Sequence, residues 1–456
     1  MRTRLSYAWE QLRASYWFIP TAMVAIAVAV SAASASVDRT IDQVWLQPLA
    51  GIYPGGPAEA STLLSTIAGS MITVAGVTFS ITIVTLSLAS SQFGPRLLRS
   101  FMRDTGTQVV LGAFVAIFVY SILVFHAIDS TDSRTFVPRI SVTIALLMAV
   151  GGLGVLIYFI HHVSSSIQAE NVIASVGRDL DQAIDALFPG EGGTARPAPV
   201  PPGAASAPRG LDRPGHPIPA AQTGYLQAVD DDALMKLARR RDLVLRLLYR
   251  PGDFVVGDSD LVIVWPGDAA DEEVINRIEE AFIIGAARLR LQDVEFAVDQ
   301  LVEIAVRALS PGINDPFTAI SCVDRLGGSL ARLAERDIPP AHRYDEHGSL
   351  RMINDAVTFA GIVDAAFNQI RQNGRSSAPI SMRLLESIAI IAARAQTSEQ
   401  RDALRRQADM IWSGCTEVLP MEEDREDLER RYRLVLAALG KHSSPVSATL
   451  ADSVPQ

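Results

Sequence analysis

Four long apolar segments of this chain contain no Asp, Glu, Lys or Arg. They cover residues 17–37, 62–90, 107–128 and 140–162, and each has the roughly 20 residues that a helix needs to cross a bilayer. Ion-coupled carriers and proton relays usually place an ionisable side chain inside the membrane. The lack of charge therefore disfavours a secondary transporter, whereas a passive channel and a simple membrane anchor both stay open.

Cysteine is scarce, and the sequence lacks the common catalytic motifs. Cys322 and Cys415 have no second Cys or His at zinc-ligand spacing, and both lie in a part predicted to be cytoplasmic, where thiols stay reduced. A nucleophile elbow, a Walker loop, an HExxH motif and the protein-kinase motifs are all missing. We therefore expect no disulfide, no metal, no cofactor and no catalytic residue, and an enzyme is the least supported class.

The excess of acidic charge lies outside the apolar segments. The formal net charge of the 456-residue chain is -10, and residues 179–456 carry 42 acidic against 30 basic residues. An acidic surface repels polyanions, so no nucleic-acid partner is expected.

Arginines near the apolar segments indicate the orientation in the membrane. Three precede the first segment and three lie between the second and third, whereas the other two connections carry most of the acidic residues. Because cytoplasmic loops retain basic residues, both termini are predicted to be cytoplasmic in a multi-pass protein of the bacterial inner (plasma) membrane. A cleaved signal peptide is the alternative for the first segment, but Tyr16 and Trp17 are typical of an interfacial anchor.

The composition divides the chain into a membrane part and a soluble part. We predict an α-helical integral membrane protein of four transmembrane helices with a cytoplasmic α+β domain, in which a small β-barrel or sheet precedes a helical bundle. The predicted segments are an interfacial amphipathic helix (1–16), the four-span domain (17–163), a helical stalk (164–188), a Pro/Gly/Ala-rich linker (189–222), a small β subdomain (223–268), a helical subdomain (269–442) and a disordered tail (443–456). The first helix of the bundle is predicted over 271–309 and the third over 349–373.

The second apolar segment is rich in hydroxyl side chains. They recur at intervals of three, four or seven residues, with Gly69 and Gly76 among them. One hypothesis is a pore-lining helix whose hydroxyls replace part of an ion's hydration shell, and the alternative is close helix packing through small residues. The candidate pore-lining residues are Thr66, Ser70, Thr73, Ser80, Ser87 and Ser91.

A proline at the inner end of this segment suggests a bend. Pro95 can end one helix and begin another, and Arg96 and Arg99 follow it on one helical face. The two interpretations are a gate elbow that couples the soluble domain to the second span and a positively charged turn at the membrane surface.

An acidic stripe is predicted on a helix of the soluble part. Glu295, Asp299 and Glu303 are four residues apart and share one face, with Arg307 following. A solvated acidic face with Glu303 paired to Arg307 is the simpler interpretation, and metal binding is disfavoured because no His accompanies the acids.

The segment after this helix reads SPGINDPFT from Ser310 to Thr318. Asp315 suits an N-cap and Pro316 the first helical position, so helix punctuation explains the pattern. The alternative is a loop whose backbone N–H groups and Asn314 amide hold an anion or small ligand. The candidate ligand-loop residues are Ser310, Gly312, Asn314, Asp315 and Thr318.

Two blocks of sequence carry a resemblance to a known family. Residues 75–104, which contain SSQFGPRLL, and residues 308–326, which contain ALSPGINDP, resemble a family of bacterial predicted membrane proteins known as a domain of unknown function. The resemblance implies a multi-span protein of the inner membrane and supplies no catalytic residues. Residues 249–264, YRPGDFVVGDSDLVIV, are also similar to the small β domains that regulate potassium-uptake channels.

The leading hypothesis is a homo-oligomeric, channel-like protein with the second span along the path and a cytoplasmic domain that responds to an ion, a small ligand or tension. The alternative is a membrane-anchored sensor or scaffold module without conduction. Both have the lipid bilayer as a partner.

Overall fold

The computed structural model describes residues 15–40, 53–97, 102, 104–128, 136–188, 214–289, 292–355 and 357–440. The chain divides into two compact units, residues 1–171 and residues 172–456. Of the predicted interfacial helix over 1–16, only residues 15 and 16 are described. The predicted tail and most of the predicted linker lie outside the described residues.

Four helices in the described part of the first unit are long and apolar enough to span a membrane. They are α1 (Phe18–Thr40), α2 (Pro57–Phe93), α3 (Thr105–His126) and α4 (Arg139–Ser166). They match the four apolar segments to within five residues at either end. Helix α3 packs against the other three and is the most buried, with 50% of its most apolar window inside the unit.

A buried polar network joins α1, α3 and α4 at one end of the unit. The Asp38 carboxylate accepts hydrogen bonds from the Ile140 and Ser141 backbone N–H groups, which caps the beginning of α4. The Ser34 hydroxyl lies 3.0 Å from the Tyr120 hydroxyl and accepts from Ser141 Oγ. An unpaired polar group is destabilising in an apolar environment. Because these groups hydrogen-bond to one another, they fix the three helices at one point.

The described residues of the second unit form two β-sheets. The five-stranded sheet has the order β1-β5-β3-β8-β7, and the three-stranded sheet has the order β4-β2-β6. Strands β3 and β8 pair in parallel, with Leu245 opposite Met352, and the other pairs are antiparallel. The strands are β1 (His216–Pro219), β2 (Gly224–Val229), β3 (Val244–Leu247), β4 (Phe254–Val255), β5 (Asp260–Trp265), β6 (Phe282–Gly285), β7 (His342–Tyr344) and β8 (Leu350–Ile353).

Helices form most of the remaining described part of the second unit. Helix α8 packs against α9 and α10, and α11 packs against α9, α12 and α13, which builds a helical bundle. Asp315 accepts from a backbone N–H group of the first turn, as the sequence predicts, and Asp271, Asp293 and Thr358 cap their helices in the same way. The helices are α5 (Ala169–Leu187), α6 (Asp231–Arg241), α7 (Glu272–Ala281), α8 (Val294–Ala308), α9 (Pro316–Ala334), α10 (Phe359–Gly374), α11 (Ala378–Ala392), α12 (Ser398–Thr416) and α13 (Glu422–Gly440).

Several predicted boundaries are wrong. The predicted linker contains β1, because His216–Pro219 finds an antiparallel partner in β5. The predicted single helix over 271–309 is interrupted by β6, whose apolar residues pair with β2, and the helix predicted over 349–373 begins with β8. In the two predicted helices a tertiary strand partner overrides a local helical pattern. The described β region therefore forms two sheets with strands from 216 to 353, and the predicted small β-barrel or sheet is not confined to 223–268.

The predicted stalk is a separate helix. Helix α4 ends at Ser166, and α5 begins at Ala169 after a short turn. The Asp181 carboxylate of α5 accepts a 2.6 Å hydrogen bond from Ser329 of α9, and Asp185 pairs with Arg332 and Arg336. Helix α5 therefore packs into the second unit.

Candidate functional site

Helix α2 is the least buried of the four membrane helices. Only 11% of its most apolar window lies inside the unit, against 50% for α3. Its 37 residues extend about 55 Å at about 1.5 Å per residue, which exceeds the roughly 30 Å hydrocarbon core. Most of its surface thus meets lipid, water or another protein surface.

The predicted hydroxyl stripe lies on this free surface. All six candidate residues are exposed, and the side chains that α2 buries are mainly others, such as Leu64, Ile67 and Ala75. A Cβ atom added at Gly69 or Gly76 would meet nothing within 4 Å. The exposed stripe is composed of Thr66, Ser70, Thr73, Ser80, Ser87 and Ser91, and it is not used for packing among the described residues of the first unit.

The hydroxyls of the stripe are of two kinds. Thr66, Thr73 and Ser80 each donate to the carbonyl four residues earlier, at 2.8 to 2.9 Å, and Ser91 donates to Leu88. Such internal bonds leave oxygen lone pairs facing outward. Ser70 and Ser87, by contrast, have no hydrogen-bond partner among the described residues.

A sharp turn follows α2 at the predicted elbow. Gly94 has a φ of 107°, a conformation that favours glycine, and residues Pro95–Leu97 form one 3-10 turn. Pro95 and Arg96 are exposed, whereas Arg99 lies outside the described residues. The bend predicted from Pro95 is present, and Gly94 makes it possible.

The residue pair Asp104 and His162 was not foreseen from sequence. Asp104 caps α3 by accepting from the Gly106 and Thr107 backbone N–H groups, and its Oδ2 lies 2.6 Å from His162 Nε2 of α4. Burial alone would raise the pKa of Asp104, but the hydrogen bonds from Thr107 and His162 hold it below its ordinary value. The cap pattern Asp-Thr-Gly-Thr was readable in the sequence, whereas the partner 58 residues away was not.

The predicted acidic stripe meets arginines from other segments. Arg250 contacts Glu295 at 3.0 Å, and Arg288 contacts both Asp293 at 2.8 Å and Asp299 at 2.7 Å. Burial would lower the pKa of Arg288, but the two carboxylates raise it above its ordinary value. The acidic residues at the beginning of α8 thus form a network of ion pairs with two arginines. These guanidinium groups occupy the position at which a metal ion would have to bind. Glu303 lies further along the same helix.

The predicted ligand loop is an exposed turn between α8 and α9. Asp315 accepts hydrogen bonds from the backbone N–H and the hydroxyl of Thr318, and these bonds lower its pKa. Asn314 has a φ of 49°, and Ser310 Oγ donates to the Arg307 carbonyl. Gly312 is exposed with open space around it. These contacts are those of helix punctuation, and the loop lies at the opposite end of α8 from the arginine network.

Comparison with known proteins assigns the chain to a family. A family described as "Predicted membrane protein (DUF2254)" matches residues 13–389, which contain all four membrane helices and both sheets. The chain belongs to this family. The DUF2254 match confirms the resemblance to a family of predicted membrane proteins.

Two relatives of the chain are each described as an uncharacterized protein. The chain is 31% identical over 429 residues to uncharacterized protein Mb1321c of Mycobacterium bovis and to uncharacterized protein Rv1290c of Mycobacterium tuberculosis. Each alignment covers 91% of this chain and 79% of the relative. No solved structure was found to match the chain.

Proposed function

We propose that this DUF2254 protein is a homo-oligomeric, channel-like protein of the bacterial inner membrane and not an enzyme. Copies of α2 would lie side by side around a hydrated path, and the second unit would lie in the cytoplasm and regulate it. The observation that carries the proposal is the exposed hydroxyl stripe, in which Ser70 and Ser87 have no hydrogen-bond partner among the described residues.

Hydrocarbon cannot satisfy these two hydroxyls. A polar group transferred to an apolar medium without a hydrogen bond is destabilised, so Ser70 and Ser87 are better placed against water or another polar surface. Large exposed apolar side chains such as Ile72, Phe79 and Ile81 lie on other faces of α2 and suit lipid, whereas Val77 and Val84 lie among the hydroxyls of the stripe. The contrast between neighbouring positions on α2 supports a stripe that faces other copies of the chain.

The spacing of the stripe also suits helix association. Thr66, Thr73, Ser80 and Ser87 are seven residues apart, as are Gly69 and Gly76. A seven-residue repeat keeps one face towards a neighbouring helix that crosses at a shallow angle, and small residues let the backbones approach.

The hydrogen-bond pattern favours a cation as the permeating species. The hydroxyls of Thr66, Thr73 and Ser80 donate inward to their own helix, so their oxygens offer lone pairs outward. Oxygen lone pairs can replace water around a cation, as they do in known selectivity filters.

Cysteine substitution at neighbouring positions tests the proposal. Ser80→Cys lies on the stripe and Ile81→Cys lies at the same depth beside it, and both positions are exposed in one subunit. The native Cys322 and Cys415 are buried, so the unsubstituted protein supplies a low background. We expect Ser80→Cys to form disulfide-linked dimers under mild oxidation and to react rapidly with a water-soluble thiol reagent. Ile81→Cys should do neither.

Equal behaviour of the two variants would contradict the proposal, because a stripe that faces lipid would not distinguish them. Cross-linking of Ser80→Cys without reaction towards the water-soluble reagent would indicate a dry helix interface. The protein would then be an oligomeric, membrane-anchored module without a path.

A further inference from the structure

A polar cleft lies between α5 and α9 in the second unit. Its volume is about 810 Å³, which is within the range of small-ligand sites. None of the described residues that line it is aromatic, so a flat apolar ligand would find no stacking surface. The lining comprises Gly177, Arg178, Asp181, Asp324, Arg325, Gly328, Ser329, Arg332, Glu335, Arg336, Arg394 and Gln396.

The charge of the cleft is positive. Five arginines line it against three acidic residues, and each of the three acids already has a partner. Asp181 accepts from Ser329, Asp324 from Arg383, and Glu335 from Arg394. Asp324 and Glu335 are thus neutralised by arginines, whereas the Asp181 carboxylate has only a hydroxyl donor among the described residues.

Three of the five arginines are also engaged. Arg332 and Arg336 share Asp185, and Arg394 pairs with Glu335. Arg178 and Arg325, in contrast, make no hydrogen bond or ion pair with any described residue. The cleft thus holds two guanidinium groups whose donors are available to a ligand.

The backbone of the cleft positions one of these groups and leaves room beside it. The aliphatic part of Arg325 packs over Gly177, where an added Cβ would lie 3.2 Å from its Cδ. At Gly328, which also lines the cleft, an added Cβ would meet nothing within 4 Å, so there is open space beside this residue.

We propose that this cleft is a binding site for a small ligand with two phosphate groups, held by Arg178 and Arg325. Guanidinium groups bind phosphate oxygens through paired, charge-assisted hydrogen bonds, and two of them match two phosphate groups. The ligand is either a soluble diphosphate compound or the phosphate headgroups of anionic lipid. Only residues 167 and 168 separate α4 from α5, so the cleft residues of α5 are close in sequence to a membrane helix.

Calorimetric titration of the full-length protein in neutral detergent with inorganic pyrophosphate tests the soluble source. We expect saturable binding that Arg325→Gln and Arg178→Gln each weaken about ten-fold or more, since a charge-assisted bond is lost. Arg375→Gln removes an exposed arginine outside the cleft and should bind as the unsubstituted protein does. Gly328→Met fills the cleft with all charges retained and should also weaken binding, while methionine favours the helix and preserves the fold.

The lipid source is tested with the same variants in nanodiscs that contain phosphatidylglycerol and cardiolipin. Stabilisation by these lipids that disappears in Arg325→Gln, with no pyrophosphate binding in detergent, would support the site with lipid as its ligand. The proposal is overturned if neither probe binds, or if Arg375→Gln weakens binding as much as Arg325→Gln does.

Discussion

The carboxylate of Asp104 lies 2.6 Å from Nε2 of His162, and this contact joins the beginning of α3 to the end of α4. The His162 ring stacks on Tyr158 with 5.4 Å between ring centroids. Gly106 leaves space for the ring, because a Cβ there would lie 2.7 Å from Nε2. Helix α3, which packs against the other three membrane helices, is thereby fixed at this end to α4.

Replacing Asp104 should destabilise the membrane unit. Asp104→Ala removes both a helix cap and a charge-assisted contact, and we expect a loss of about 1–3 kcal/mol in the free energy of unfolding. Asp104→Asn keeps a capping oxygen and should lose less. Unfolding in mixed micelles with increasing denaturing detergent measures both, and an unchanged midpoint for Asp104→Ala would contradict this assignment.

The stabilising contribution of Asp104 should depend on pH. Its pKa in the folded protein is lowered, because the hydrogen bonds from Thr107 and His162 outweigh burial. The contribution is therefore present above the ordinary carboxyl pKa of about 3.9 and is lost as the pH falls through the lower value in the folded state. The difference in stability between the unsubstituted protein and Asp104→Asn should shrink below about pH 4. A constant difference would show that the charge of Asp104 is unimportant.

The arginine network at α8 gives a stability prediction for the second unit. Arg288→Gln leaves the buried Asp293 and the half-buried Asp299 without their guanidinium partner, and we expect a loss of about 3 kcal/mol. Arg277→Gln is the matched control, since Arg277 forms only an exposed pair with Glu280, and it should change stability by less than about 1 kcal/mol. Chemical denaturation followed by circular dichroism compares the two variants, and equal losses would argue against a structural role for the network.

At Asn314, in the turn between α8 and α9, we expect alanine and glycine to affect stability differently. Asn314 has a left-handed backbone conformation, so Asn314→Ala should cost about 1 kcal/mol, whereas Asn314→Gly should be neutral or stabilising. Thermal unfolding measures both. If Asn314→Ala leaves the melting temperature unchanged and removes stabilisation by an added anion, the loop is a ligand site and not helix punctuation.

Leucine substitutions on α2 test the stripe by function. Ser80→Leu and Ser87→Leu place bulky apolar side chains on the proposed path, and each should abolish or reshape single-channel current in reconstituted bilayers. Ile81→Leu and Leu88→Ile alter the neighbouring apolar positions and should leave the current unchanged. Unchanged current in the two serine variants would contradict a pore-lining role.

The sequence predicts the elements that depend on local patterns. The four membrane helices follow from uninterrupted apolar length, and the caps at Asp293, Asp315 and Thr397 follow from residue type and spacing. The strands β6 and β8 could not be predicted in this way. Each is a short apolar segment next to a helix, and only a partner at β2 or β3, distant in sequence, makes it a strand.

The candidate sites also differ in how far the sequence predicts them. The hydroxyl stripe was readable because its residues lie on one helix, and the structure adds that this face is exposed and that Ser70 and Ser87 lack partners among the described residues. The pair of Asp104 and His162 and the cleft beside Arg178 and Arg325 combine residues from two helices. Tertiary packing alone brings such residues together, so no spacing in the sequence indicates them.

Cation flux into proteoliposomes that contain Ser80→Cys distinguishes a hydrated path along α2 from a stripe that faces lipid. We expect flux above that of protein-free liposomes, with a block by a membrane-impermeant thiol reagent in Ser80→Cys but not in Ile81→Cys or in the unsubstituted protein. Flux that never exceeds the protein-free level, or a reagent that acts equally on Ser80→Cys and Ile81→Cys, would contradict the hydrated path.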